Sequence, residues 1–126
     1  MRRALQITVS LVSLGVIGAG ARYAYGREAL RHRDLGRLYR EIDQSSFGGT
    51  LPEASVEWAN IGSDYGVEQT FADGTIEIFV SSISVTSGEQ LRHVVEHEMC
   101  HAYVDQQGGE PVEHGAQFQN CMTRFL

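Results

Sequence analysis

Hydrophobic and polar residues alternate with a different period in each part of this chain. Residues 4–21, ALQITVSLVSLGVIGAGA, form an uncharged run after Met1-Arg2-Arg3. Residues 27–44 read REALRHRDLGRLYREIDQ, with Leu30, Leu35, Leu38, Tyr39 and Ile42 near helical spacing among charges. That spacing predicts an amphipathic helix with a solvated basic face. Ser45 to Gly49 reads as a loop. Residues 54–59 alternate as a short strand, residues 67–72 suggest a second, and residues 75–80 a third. Asp73-Gly74 between the last two signals a two-residue hairpin, so the expectation is a small antiparallel sheet of about three strands. Ser87 as N-cap, with Gln90 three residues on, opens a helix carrying Leu91, Val94, Val95, Met99, Ala102 and Tyr103. It ends near Gly108-Gly109, and a last helix runs through Phe118, Cys121, Met122 and Phe125. The sum is an α+β fold, divided into an apolar segment at 1–26 and a domain at 27–126.

The apolar run is short for a membrane-spanning helix, where about 20 residues are typical. A membrane anchor through residues 4–21 is the favoured reading. A signal peptide cleaved after Ala19-Gly20-Ala21, which would make the protein secreted, is the second. An ordinary soluble helix is the third. Arg22, Arg27, Arg31, Arg33, Arg37 and Arg40 follow the run and outnumber Arg2 and Arg3. The positive-inside tendency then keeps the following domain cytoplasmic.

Charge divides the chain in the same place. Residues 1–40 hold eight arginines and two carboxylates, residues 41–126 two arginines and fourteen carboxylates; lysine is absent. Phosphate contacts supply most non-specific DNA affinity, so direct DNA binding by the acidic part is doubtful. Cys100 and Cys121 are the only cysteines and cannot build a four-cysteine zinc site. Cys100 is expected to be a buried free thiol, with a disulfide or a cysteine ligand as the alternatives.

The chemistry concentrates in His97-Glu98-Met99-Cys100-His101. On a helix the two histidines lie about 40° apart and Glu98 lies about 60° from His101. Two imidazoles there can hold Zn²⁺, and the glutamate can act as general base on a water the metal activates. His93-Val94-Val95-Glu96-His97 overlaps it in the inverse sense. The forward pattern has a ready third ligand, because Gly108-Gly109 ends the helix and lets the chain return with His114. Glu113 reads as a solvated carboxylate, with an orienting role for a ligand as the alternative. Tyr65 and Tyr103 could stabilise an oxyanion, but each reads more simply as a core tyrosine.

The segment from Val94 to Ala102, followed by His114-Gly-x-x-Phe118, resembles the SprT-like family of zinc metalloproteases. Phe47-Gly-Gly-Thr-Leu-Pro52 and Val56-Glu-Trp58 are similar to that family's approach to its first strand. The resemblance spans about residues 35–126. It implies a zincin-like fold and zinc-dependent hydrolysis of a protein or peptide substrate. His97, His101 and His114 would be the ligands and Glu98 the catalytic base. In zincins substrate adds as a strand to a sheet edge, and residues 75–80 are the nearest candidate here. Family members that act on DNA–protein crosslinks carry DNA-binding additions outside this core. This sequence shows no second zinc module after Phe118 and has an acidic domain instead. The alternative to an enzyme is a non-catalytic, zinc-stabilised, membrane-tethered binding module.

Overall fold

The computed structural model describes residues 28–126. Residues 4–21 and the boundary at 26 lie outside the described residues. Among those described, no helix is long and apolar enough to cross a membrane. That finding corrects the expectation of a membrane-anchored protein with a cytoplasmic domain. Residues 28–31 are helical, with an exposed Glu28–His32 pair at 3.8 Å.

Residues 34–126 form one compact unit. The amphipathic helix expected over 27–44 is interrupted at Asp34, which is extended and accepts a hydrogen bond from the Arg37 amide at 3.0 Å. An acceptor at that position satisfies an amide that has no helical partner, so a new helix starts there. This helix, α1 (Leu35–Ser46), buries Leu35, Leu38, Tyr39 and Ile42. Its end is tied to the next segment, since Asp43 accepts from the Leu51 amide and the Tyr39 hydroxyl donates to the Pro52 carbonyl.

Three strands follow: β1 (Ala54–Ala59), β2 (Gly66–Thr70) and β3 (Ile76–Ser81). Their order is β1-β3-β2. β2 pairs antiparallel with β3, with Val67 opposite Phe79 and Thr70 opposite Ile76. β1 pairs parallel with β3, with Val56 opposite Ile78. The sheet is therefore mixed rather than antiparallel throughout. Alternation within a strand gives the face that is buried, not the neighbour or its direction. The Asp73-Gly74 turn is also wider than a two-residue loop. The Gly74 amide donates to the Phe71 carbonyl at 2.8 Å, and Gly74 sits at φ 92. Asp73 accepts from the Thr75 amide at 3.0 Å, and β2 ends at Thr70 while β3 starts at Ile76.

Ile76, Ile78 and Val80 of β3 are buried, while Glu77 and Phe79 between them are partly exposed. α1 packs on β1, and α2 (Gly88–Gln106) packs on β2 and β3. Ser87 caps α2 as expected, accepting from the Gln90 amide at 3.1 Å. The Gln90 side chain reaches the Thr86 amide instead of completing the box on Ser87. α3 (Ala116–Met122) packs on α2 and passes into a 3₁₀ turn, Thr123–Phe125. Cys100 of α2 and Cys121 of α3 form a disulfide. Both cysteines are fully buried, so the free-thiol expectation is corrected. At the far end of α2, Arg124 lies over the rings of Phe47 and Tyr103 and donates to the Ser46 carbonyl.

Candidate metal centre

Helix α2 is buried along much of its length, so both histidines project from a fixed backbone. His97 and His101 are partly exposed one turn apart, and Glu98 beside them is 5% exposed. After Gln106 the chain turns through Gly108 and Gly109, at φ 103 and 81, backbone that glycine adopts freely. It returns with His114 at φ 57, a left-handed conformation rare outside glycine. The His114 Nε2 lies 3.0 Å from His101 Nε2 and 3.2 Å from His97 Nε2. The three rings surround Phe118, each with its centroid 4.6 to 4.8 Å from the phenyl centroid.

The triad fits a metal on two grounds. Three nitrogens bound tetrahedrally at 2.0–2.1 Å are about 3.3 Å apart, close to the spacing seen. Three neutral imidazoles facing one another through Nε2 also cannot all hydrogen-bond mutually, because each Nε2 is either a donor or an acceptor. A cation satisfies all three lone pairs at once. Burial, then the neighbouring His101, His114 and His93, lower His97 to about 4. Burial and His114 lower His101 as well, against the pull of Glu113, Asp105 and Glu110. Both rings are then neutral at pH 7, the form that ligates.

The inverse pattern is not assembled. His93 is exposed, and Glu96 is buried in an ion pair with Arg92 at 3.0 Å. Among the described residues, the cluster able to hold a metal is His97, His101 and His114.

A cavity of about 650 Å³ opens on the triad between α2, β2 and the segment before α3. Its walls include Asp64, Glu68, Glu98, Asp105, Glu110 and Glu113. Glu113 is exposed, as expected of a solvated carboxylate. A second cavity, of about 400 Å³, shares Gly66 and Glu98 with the first and is also lined by Tyr65, His93 and Val94. Tyr65 is 51% exposed and so is not a core residue, whereas Tyr103 is partly buried against Phe47 and lines neither cavity. Residues 75–80 belong largely to the central strand, so among the described residues the free sheet edge beside the triad is β2.

Sequence reasoning missed how closely β2 approaches Glu98. A Cβ on Gly66 would stand 2.7 Å from Val94 Cγ1 and 3.0 Å from Glu98 Oε2. That glycine lets the strand edge press against the carboxylate, and burial raises Glu98 to about 7, with Asp64 and Glu113 adding. The signal was a lone glycine at a strand start.

Glu68 faces the same space. Burial raises it to about 7; the Thr70 hydroxyl, donating to it, opposes the rise, and Asp105 and Glu98 reinforce it. Its folded pKa exceeds its unfolded one, so the folded state holds the extra proton and stability falls as pH rises from about 4.5 to about 7. Glu68→Gln removes that loss. With a discount for partial exposure, the Tm of the metal-free protein should rise by roughly 2–5 °C at pH 8 and stay unchanged at pH 4. A Tm at pH 8 no higher than the parent's would contradict the assignment.

Comparison with curated proteins gives no match. The model of the SprT-like family matches residues 35–125, which takes in α1, the sheet, the three histidines and the 3₁₀ turn, and the chain belongs to the SprT-like family.

Proposed function

We propose that this chain is a zinc-dependent metallopeptidase. The observation that carries the reading is the convergence of three histidine Nε2 atoms beside a buried carboxylate at the mouth of an open cavity. Zn²⁺ bound there supplies Lewis acidity, which acidifies water and polarises a peptide carbonyl. The chain's own residues do the rest. Glu98 accepts a proton from the attacking water as its oxygen bonds to the carbonyl carbon. When the C–N bond breaks, Glu98 delivers that proton to the departing amine. The free edge of β2 offers unpaired backbone groups to an extended substrate lying across the cavity. The carboxylates of the walls favour a peptide over a phosphate backbone, which supports the reading that DNA is not bound directly.

The binding-module alternative has less support. A structural zinc site closes with four protein ligands, whereas among the described residues the clustered groups number three and face an open cavity.

The test is direct. The purified chain should bind one zinc and cleave unfolded protein or a peptide mixture. A chelator should stop cleavage, and zinc should restore it. His114→Ala should weaken zinc binding by more than the roughly 10–100-fold typical of losing an outer-shell partner. Unchanged affinity in that variant would remove His114 from the ligand set. A zinc X-ray absorption spectrum with four protein ligands would favour the binding module.

A further inference from the structure

The third histidine is held differently from the first two. His97 and His101 sit inside a nineteen-residue helix whose own hydrogen bonds fix them. His114 precedes a seven-residue helix, in left-handed backbone at φ 57. Such a conformation persists only where its surroundings determine it. The N-cap of α3 is Gly115, which has no side chain to satisfy the first amides of the helix.

Glu110 does that work from outside the helix. One carboxylate oxygen accepts from the Gln117 amide at 3.0 Å, and the other accepts from the Phe118 amide at 3.0 Å. The Gly115 amide meanwhile donates to the Val112 carbonyl at 3.0 Å. Residues 110–118 are thus closed into a loop with His114 near its tip. The space is complementary: a Cβ on Gly115 would stand 2.6 Å from Glu110 Oε1 and 2.8 Å from the Val112 carbonyl oxygen. The carboxylate occupies the room a side chain at 115 would need. One of the two amides it grips belongs to Phe118, whose ring touches all three histidines.

We propose that Glu110 is a positioning residue for the metal centre: by clamping the Gln117 and Phe118 amides it holds His114 with its Nε2 aimed at His97 and His101. This rests on the zinc reading above. Both carboxylate oxygens are engaged with amides, so Glu110 acts through the backbone and not as a ligand.

The test measures zinc affinity of the full chain by competition with a chromophoric chelator, together with the visible absorption of the Co²⁺ form. Glu110→Ala should bind zinc about 10–100-fold more weakly and alter the intensity of the cobalt bands. Glu110→Gln keeps the shape but presents an N–H to one of the amides, and should lose less. Gly115→Ala keeps the charge while displacing the carboxylate, and should reproduce the loss. In a His114→Ala background, Glu110→Ala should change affinity less than about twofold, because the group through which it acts is gone.

Parent and Glu110→Ala binding zinc equally would overturn the proposal. So would an equal loss with and without His114, which would mark a simple charge effect. Should Glu110→Ala not fold, Glu110→Gln and Gly115→Ala decide the matter: parent affinity in both rejects the clamp. A parent that takes up no zinc sinks the metal reading and this inference together. A parent that binds zinc while the variants match it sinks this inference alone.

Discussion

Glu98→Gln should take up zinc as the parent does and cleave peptide bonds roughly 10²–10⁴-fold more slowly. The substitution is nearly isosteric, which matters because the side chain is 5% exposed and lies against Gly66. A shorter residue would open a gap beneath the β2 edge and confuse a chemical loss with a structural one. Glutamine keeps the packing and removes the basic oxygen. The loss belongs in kcat, because proton transfer stabilises the transition state and not the bound substrate. Cleavage at the parent's rate would refute the role of Glu98. A loss of zinc alongside a loss of rate would show that the carboxylate supports the ligands instead.

The second large effect concerns stability. Replacing both Cys100 and Cys121 by alanine should cost roughly 3 kcal/mol, from the loop entropy of a cross-link spanning 21 residues. For a unit of this size that is a fall in Tm of roughly 15 °C. Reduction of the parent should give a comparable fall, and the double variant should not respond to reductant. A parent that melts at one temperature with and without reductant would show that the bond does not contribute. The effect should reach the site, because Cys100 lies immediately before His101 and Cys121 sits on the helix that begins just after His114. Loosening that link lets α3 drift from α2, and zinc affinity should fall along with Tm.

What the sequence made legible is local. His97 and His101 share a helix face because of a period, and Ser87 caps α2 because its side chain reaches an amide three residues on. The three strands were placed to within a few residues because alternation reports burial. The return of His114 required only a helix stop at Gly108-Gly109 and a short connection. The pairing of β1 with β3 was out of reach, because Val56 and Ile78 meet through topology and not through any spacing. The Cys100–Cys121 bond was hidden because two buried thiols and one disulfide have the same composition. Glu110 was overlooked for a related reason. Its partners are amides seven and eight residues on, brought within reach by a loop closure that no periodicity encodes.

The strand order also bears on how the protein comes to be folded. The central strand of the sheet, β3, is the last of the three in the sequence. During synthesis β1 and β2 emerge with no strand between them to share, since each bonds to β3 and not to the other. The β2–β3 hairpin closes over a five-residue connection and forms quickly. The β1–β3 pairing spans 22 positions, from Ala54 to Ile76, and pays a larger closure entropy. Until that step, β1 is unpaired and one side of β3 is open, and a second unfinished chain could pair there. Refolding at high chain concentration should therefore favour aggregation, which light scattering during refolding would show.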